Sequence, residues 1–143
     1  AFLFEQGRYL EAIEQLEICA EDRLYGARSM VFENLGVSYQ QLSRFEAAEV
    51  AFTKSLQLNP SQGRALLELA EIRFEQTRYK ESDQLLQRYD MLAQPSARSL
   101  WLGIRLARLF NKTDDEASQA LALKNIFPTS KEYQLYQDSN RKL

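Results

Sequence analysis

From Phe32 to Pro60 the apolar positions recur at helical spacing, break once, and recur again. Phe32, Leu35, Gly36 and Tyr39 follow one another at steps of three and four, which places them on one face of a helix. Ser43–Arg44 interrupts the pattern, then Ala48, Phe52 and Ser55 resume it until Pro60 stops it. Two helices joined by a tight turn are predicted. Gly36 is the informative residue. A glycine inside a helix costs about 1 kcal/mol relative to alanine, so its place here implies a second helix passing very close.

The same pattern returns along the chain. A shift of 34 takes Phe32 to Leu66, Leu35 to Leu69, Gly36 to Ala70, Phe45 to Tyr79, Ala48 to Ser82 and Phe52 to Leu86. A shift of 36 backwards takes Ala48 to Ala12, Phe52 to Leu16 and Ser55 to Cys19. Forwards, 33 takes Leu69 to Leu102 and Ala70 to Gly103, whereas the helix after it needs 35, with Ser82 on Ala117 and Leu86 on Leu121. That mismatch predicts a turn about two residues longer around Asn111–Asp115. Arg73 departs from the pattern, since an aromatic is expected there and Phe74 stands one place later. Paired helices with a small residue at their crossing and a closing proline resemble the tetratricopeptide repeat, a helical hairpin that stacks into a solenoid.

The predicted order follows from these units. Phe2, Leu3 and Phe4 read as part of a helix cut at its start, Gly7–Arg8 as a turn, and Tyr9–Glu21 as the partner helix burying Ala12, Ile13, Leu16 and Cys19. Cys19 occupies the place of Ser55, so it reads as a small buried residue. Further helices are predicted over Ala27–Leu42, Phe45–Leu58, Gln62–Gln76 and Tyr79–Leu92, with Ser96 as N-cap of the next. Ser99–Phe110 is apolar nearly all round, which implies burial on several sides or a binding patch. Asp114–Phe127 pairs with it, and Thr129 with Glu132 has the form of a capping box opening a last helix over Ser130–Asn140. The expected architecture is all-α: one tetratricopeptide-repeat domain over 1–143, truncated at its N-terminus. Its units span approximately 1–25 (partial), 26–61, 62–95 and 96–128, and a capping helix covers 129–143.

Composition narrows the chemistry. Five glycines and three prolines among 143 residues suit an all-helical chain. With no histidine, Ser-His-Asp and Cys-His machinery and histidine metal sites are excluded, and one cysteine cannot form an internal disulfide. No phosphate-binding or dinucleotide motif is present. Neighbouring carboxylates such as Asp114–Asp115 read as solvated helix ends. The expectation is a protein with no enzymatic activity, cofactor or metal. A net charge of −2 with acids and bases interspersed gives no basic tract for nucleic acid.

Several runs go beyond the generic repeat. They are Asp22-Arg23-Leu24-Tyr25, Phe32-Glu33-Asn34-Leu35-Gly36, Leu67-Glu68-Leu69-Ala70, Arg88-Tyr89, Ala97–Ala107 and Glu132-Tyr133-Gln134-Leu135-Tyr136. In this order they resemble the type IV pilus biogenesis and stability family (PilW/PilF), the tetratricopeptide pilotins. The resemblance covers essentially the whole chain, and its most specific piece is Ala97–Ala107. It implies an outer-membrane lipoprotein at the periplasmic face, which assists the pilus secretin in reaching or assembling in that membrane. The membrane contact so implied runs through an N-terminal lipid anchor that this chain lacks.

In a repeat stack the first helix of each hairpin lines the concave face. The residues expected there are Met30, Glu33, Asn34, Val37 and Gln41, then Arg64, Leu67, Glu68 and Glu71, then Leu100, Trp101, Ile104 and Arg108. Such a groove is acidic in its middle and apolar toward the C-terminal end, with Trp101 as the expected anchor for a secretin segment. The alternative is a generic adaptor or co-chaperone that grips a C-terminal carboxylate. That grip needs converging Lys, Arg and Asn, of which only Asn34 and Arg64 are at hand beside Glu68 and Glu71.

Overall fold

The computed structural model describes residues 2–21 and 28–141, with side chains described over 6–17 and 28–141. Among the described residues there are eight α-helices and no strand. They are α1 (Phe2–Glu21), α2 (Arg28–Gln41), α3 (Phe45–Leu58), α4 (Gly63–Glu75), α5 (Tyr79–Leu92), α6 (Ala97–Leu109), α7 (Thr113–Ile126) and α8 (Lys131–Arg141). The fold is a tetratricopeptide-type stack of antiparallel helical hairpins, α2–α3, α4–α5 and α6–α7, with α8 closing it. Asp22–Tyr25 lies outside the described residues, as does the side chain of Cys19.

The turns inside the hairpins set the period. Ser43, Thr77 and Asn111 hold left-handed φ values of 59°, 62° and 58°, and they stand 34 residues apart. Each follows a first helix and closes it in the same way. The amides of Arg44, Arg78 and Lys112 donate back to the carbonyls of Tyr39, Arg73 and Ala107 at 2.9, 2.8 and 2.8 Å, the long return bond of a Schellman-type end. Asn111 suits this backbone best of the three, while the β-branched Thr77 holds it against its own preference. Phe45, Tyr79 and Thr113 open the second helices at the same interval, and Gly63, Ala97 and Lys131 open α4, α6 and α8. The period therefore stays at 34 through the last unit, and the longer turn expected near Asn111–Asp115 is absent. The expectation arose because the small residue changes sides in this hairpin, Ile104 standing at the place of Gly36 and Ala120 at that of Phe52.

Two other expectations are corrected. Gly7–Arg8 makes no turn, because α1 runs unbroken from Phe2 to Glu21. Nothing lies within 4 Å of a Cβ built on Gly7, so that glycine marks neither a close approach nor a bend. The last helix is capped by Ser130 rather than Thr129. The Tyr133 amide donates to Ser130 Oγ at 3.1 Å, and Ser130 Oγ in turn donates to the Phe127 carbonyl at 2.8 Å. The Ser130 amide also bonds to Phe127 O at 3.2 Å, so the turn after Pro128 uses one residue more before the helix starts. The cap expected at Ser96 is present, with Ser99 reciprocating it.

The core runs along the stack in consecutive patches. Ile13, Leu35 and Ala51 join α1 to the first hairpin. Ala48, Phe52, Ala65 and Leu69 join α2–α3 to α4, and Leu66, Leu67, Ala70, Leu86, Tyr89, Leu102 and Leu106 join α4–α5 to α6. Leu100, Ile104, Ala120 and Leu123 fill the last hairpin, against which Tyr133 and Tyr136 of α8 pack. Counting 34 onward from the α6 positions that face α7, Leu100 and Ile104, gives Gln134 and Asp138. The face of α8 at those positions is therefore polar.

Candidate functional site

The first helices α2, α4 and α6 lie beside one another, and cross-helix bonds identify the face they share. Glu33 of α2 is buried, and its Oε2 accepts from the Ala65 amide at 3.0 Å in the first turn of α4. Arg98 of α6 reaches back to α4, where one guanidinium nitrogen bonds Glu68 and another bonds Glu71. Burial works against the charged form of Arg98, but the hydrogen bonds of Glu68 and Glu71 outweigh it and hold its pKa up.

An arginine–aromatic ladder continues along this face. The Arg105 guanidinium carbon sits 4.6 Å from the Phe74 ring centre and 5.3 Å from that of Trp101. Arg108 lies 5.9 Å from Trp101 and 5.4 Å from Tyr136, carrying the ladder from α4 through α6 to α8. Arg108 is also fixed by Glu116 at 2.6 Å and by Ser139 and Asn140, each at 2.8 Å. Arg105 has no such bond: its Nε is buried without a hydrogen-bond partner, and burial pushes its pKa down against the pull of Glu71 and Glu75.

Between the first two hairpins this face opens into a cleft of ≈ 550 Å³. Gln40, Phe45, Glu46 and Glu49 form one wall, and Glu71, Ile72, Glu75 and Gln76 the other, with Arg105 at one end. Glu49 is tied to Arg73, whose hydrogen bond holds the carboxyl below its usual range. Arg73, the residue that broke the aromatic pattern, also meets Glu81 at 3.2 Å and so clamps α3, α4 and α5. Among the described residues no group of carboxylates or thiols is placed to hold a metal ion.

The predicted groove residues divide between this face and the core. Met30, Asn34, Gln41 and Arg64 are exposed, and Val37, Glu71, Trp101 and Arg108 are half-buried. Glu33 and Glu68 are buried but spent on the bonds above. Leu67, Leu100 and Ile104 point into the core clusters instead: Leu100 and Ile104 because the 33-residue shift set α6 one place out of register, and Leu67 because the position of buried Glu33 is a buried one in the next unit too. With the true period, Val37, Glu71 and Arg105 form one row and Arg64 and Arg98 another, so sequence reasoning missed Arg98 and Arg105. The turn-residue series Ser43, Thr77, Asn111 was the signal that would have found them.

The tetratricopeptide repeat family model matches residues 30–62. The type IV pilus assembly protein PilF of Pseudomonas aeruginosa is 44% identical over 139 residues, 95% of this chain and 54% of that protein. The chain thus spans about half the length of this curated relative. A solved structure of Pseudomonas aeruginosa PilF superposes with a TM-score of 0.90 at 41% identity, covering 96% of this chain and 62% of that one. The crystal structure of PilW, a type IV pilus biogenesis factor, gives a TM-score of 0.71 at 22% identity, covering 92% and 60% of the two chains, and shares the fold.

Proposed function

Because this chain is a tetratricopeptide-repeat relative of the type IV pilus assembly protein PilF, we propose that it serves type IV pilus biogenesis as a protein-binding scaffold without catalytic activity. The observation that carries this reading is the 44% identity maintained over 95% of the chain. Its partner is the pilus secretin, the subunit of the outer-membrane pore. Its task is that of a pilotin: to help the secretin reach the outer membrane and multimerise there. Its place is the periplasmic face of that membrane, reached through a lipid anchor outside these residues.

The face shared by α2, α4 and α6 suits such work. Its internal ion pairs hold the helices in fixed register, so little order has to be gained when a partner segment docks. Trp101, braced by Arg105 and Arg108, offers a rigid aromatic anchor. Met30, Asn34, Val37, Gln41, Arg64, Glu71 and Arg108 supply the surrounding contacts.

The test is capture of pilus secretin from detergent-solubilised outer membranes by the full-length protein and by residues 1–143 side by side. Capture by both places the contact within these residues. Capture by the full-length protein alone assigns it to the rest of the protein and makes this part a scaffold. Capture by neither overturns the pilotin reading.

A further inference from the structure

The cleft between the first two hairpins is charged in an uneven way. Of its carboxylates, Glu49 and Glu71 are already paired with Arg73 and Arg98. Glu46 and Glu75, one on each wall, are exposed and make no salt bridge, Glu75 attracting Arg105 only at longer range. Phe45 is 60% exposed beside Glu46, and Ile72 stands beside Glu71 on the opposite wall. Arg105 closes one end, held by the faces of Phe74 and Trp101 and engaged in no hydrogen bond.

An uncommitted carboxylate on each wall, an exposed aromatic and an unbonded guanidinium together describe a ligand. The geometry points to an internal stretch of polypeptide in which a lysine or arginine stands next to a large apolar residue. The basic side chain enters between Glu46 and Glu75, where the attraction of two carboxylates converges. Its apolar neighbour covers Phe45 and Ile72. A main-chain carbonyl of the same stretch accepts from the terminal nitrogens of Arg105.

The same charges decide against a chain terminus. A C-terminal carboxylate attracted to Arg105 would meet the unpaired carboxylates of Glu46 and Glu75, while Glu49 and Glu71 are already neutralised by Arg73 and Arg98. Each of those two like charges opposes its entry. One arginine does not offset that. A neutral carbonyl meets no such opposition, and a cation gains where the anion loses.

This inference rests on the reading of the chain as a protein-binding scaffold, and it adds the chemistry of what is bound. Trp101 is the single tryptophan of the chain and touches Arg105, so its emission reports occupancy of that end of the cleft. The probes are three blocked or free peptides: Ac-Gly-Leu-Lys-Leu-Gly-NH2, the same peptide with Glu for Lys, and Ac-Gly-Leu-Gly-Leu-Gly with a free carboxylate. Tryptophan emission and the anisotropy of labelled peptide are followed together at low and at 0.5 M salt. The expected result is saturable binding of the lysine peptide alone, weakened by salt. The exposed-residue variant Glu46→Gln/Glu75→Gln should lose about tenfold in affinity while keeping its helical circular dichroism. Equal binding of the glutamate or free-carboxylate peptide, an affinity unmoved by the double variant, or no saturable binding of the lysine peptide overturns the inference. Secretin capture by the same variant separates the two questions. Unchanged capture beside failed peptide binding removes the cleft assignment and leaves the scaffold role standing.

Discussion

A methyl group on Gly36 would lie 2.5 Å from Cε1 of Phe52, nearer than side-chain carbons approach one another. Phe52 is fully buried between α2 and α4, so its ring has no free volume to retreat into. Gly36→Ala is therefore expected to destabilise the fold by about 1–3 kcal/mol, despite the higher helix propensity of alanine. Gly7→Ala is the control, since a Cβ there meets nothing within 4 Å. It should stabilise by about 0.5–1 kcal/mol. Urea unfolding of the two variants beside the parent would show opposite shifts in midpoint. A shared direction would mean that propensity rather than contact governs Gly36.

The same pair explains what could and could not be read in the sequence. From α2 to α8 the helices, their boundaries to within about two residues, and the repeat were legible, whereas the turn expected at Gly7–Arg8 was not there, because an exposed glycine with no neighbour does not by itself break a helix. Register in the third hairpin was not legible. Position by position at intervals of 34, Gly36, Ala70 and Ile104 on the first helices face Phe52, Leu86 and Ala120 on the second. The inner residue grows as its partner shrinks, so total volume is kept while the small residue changes sides. A search that matches small with small slides α6 by one place to Gly103, and then needs a longer turn to recover. Gly103 itself faces only the movable end of Gln119. The groove list inherited that slip in Leu100 and Ile104, and it lost Arg98 and Arg105 for the same reason.

Glu33 does for α4 what no residue of α4 does for itself. Gln62, the N-cap of α4, makes no side-chain cap bond, and Glu33 accepts from the Ala65 amide across the hairpin boundary. At intervals of 34 the corresponding residues are Leu67 and Trp101, which carry no acceptor for this task, and α6 is capped by its own Ser96. Glu33→Leu should cost about 1–2 kcal/mol, as loss of a cap and exposure of a buried donor to no partner require. Glu33→Gln keeps an acceptor oxygen and should recover part of that. Amide hydrogen exchange checks the mechanism, with faster exchange expected at Ala65 in the leucine variant alone.

Arg98 and Glu68 make a pair whose two halves are unequally placed, with side chains 40% and 5% exposed. Removing the arginine strands a buried carboxylate, whereas removing both charges strands nothing. Arg98→Met is expected to destabilise by about 3 kcal/mol, and Arg98→Met/Glu68→Leu by much less. Glu71 then loses a partner too, but it is more exposed and is solvated at little cost. Thermal or urea unfolding of the single and double variants measures the coupling. A double variant as unstable as the single one would show that Arg98 acts through packing and not through charge.

Tyr39 fastens α1 to α2, its hydroxyl donating to Glu17 Oε1 at 2.5 Å. Burial first, and then the Glu17 hydrogen bond, push its pKa up to about 12 from an ordinary 10.0. The folded state thus holds the phenolic proton more tightly than the unfolded chain does. The stability this contributes is fully present below about pH 10 and is lost as pH rises through about 12, where the folded phenol also ionises. Tyr39→Phe lacks both the hydrogen bond and the titration. The stability difference between parent and Tyr39→Phe should stay level from pH 7 to about 10 and then shrink toward pH 12. Other tyrosines and lysines titrate equally in both proteins and cancel in that difference. Urea unfolding in a pH series reads it, and a difference that stays flat across the alkaline range would mean that Glu17 and Tyr39 are not joined in solution.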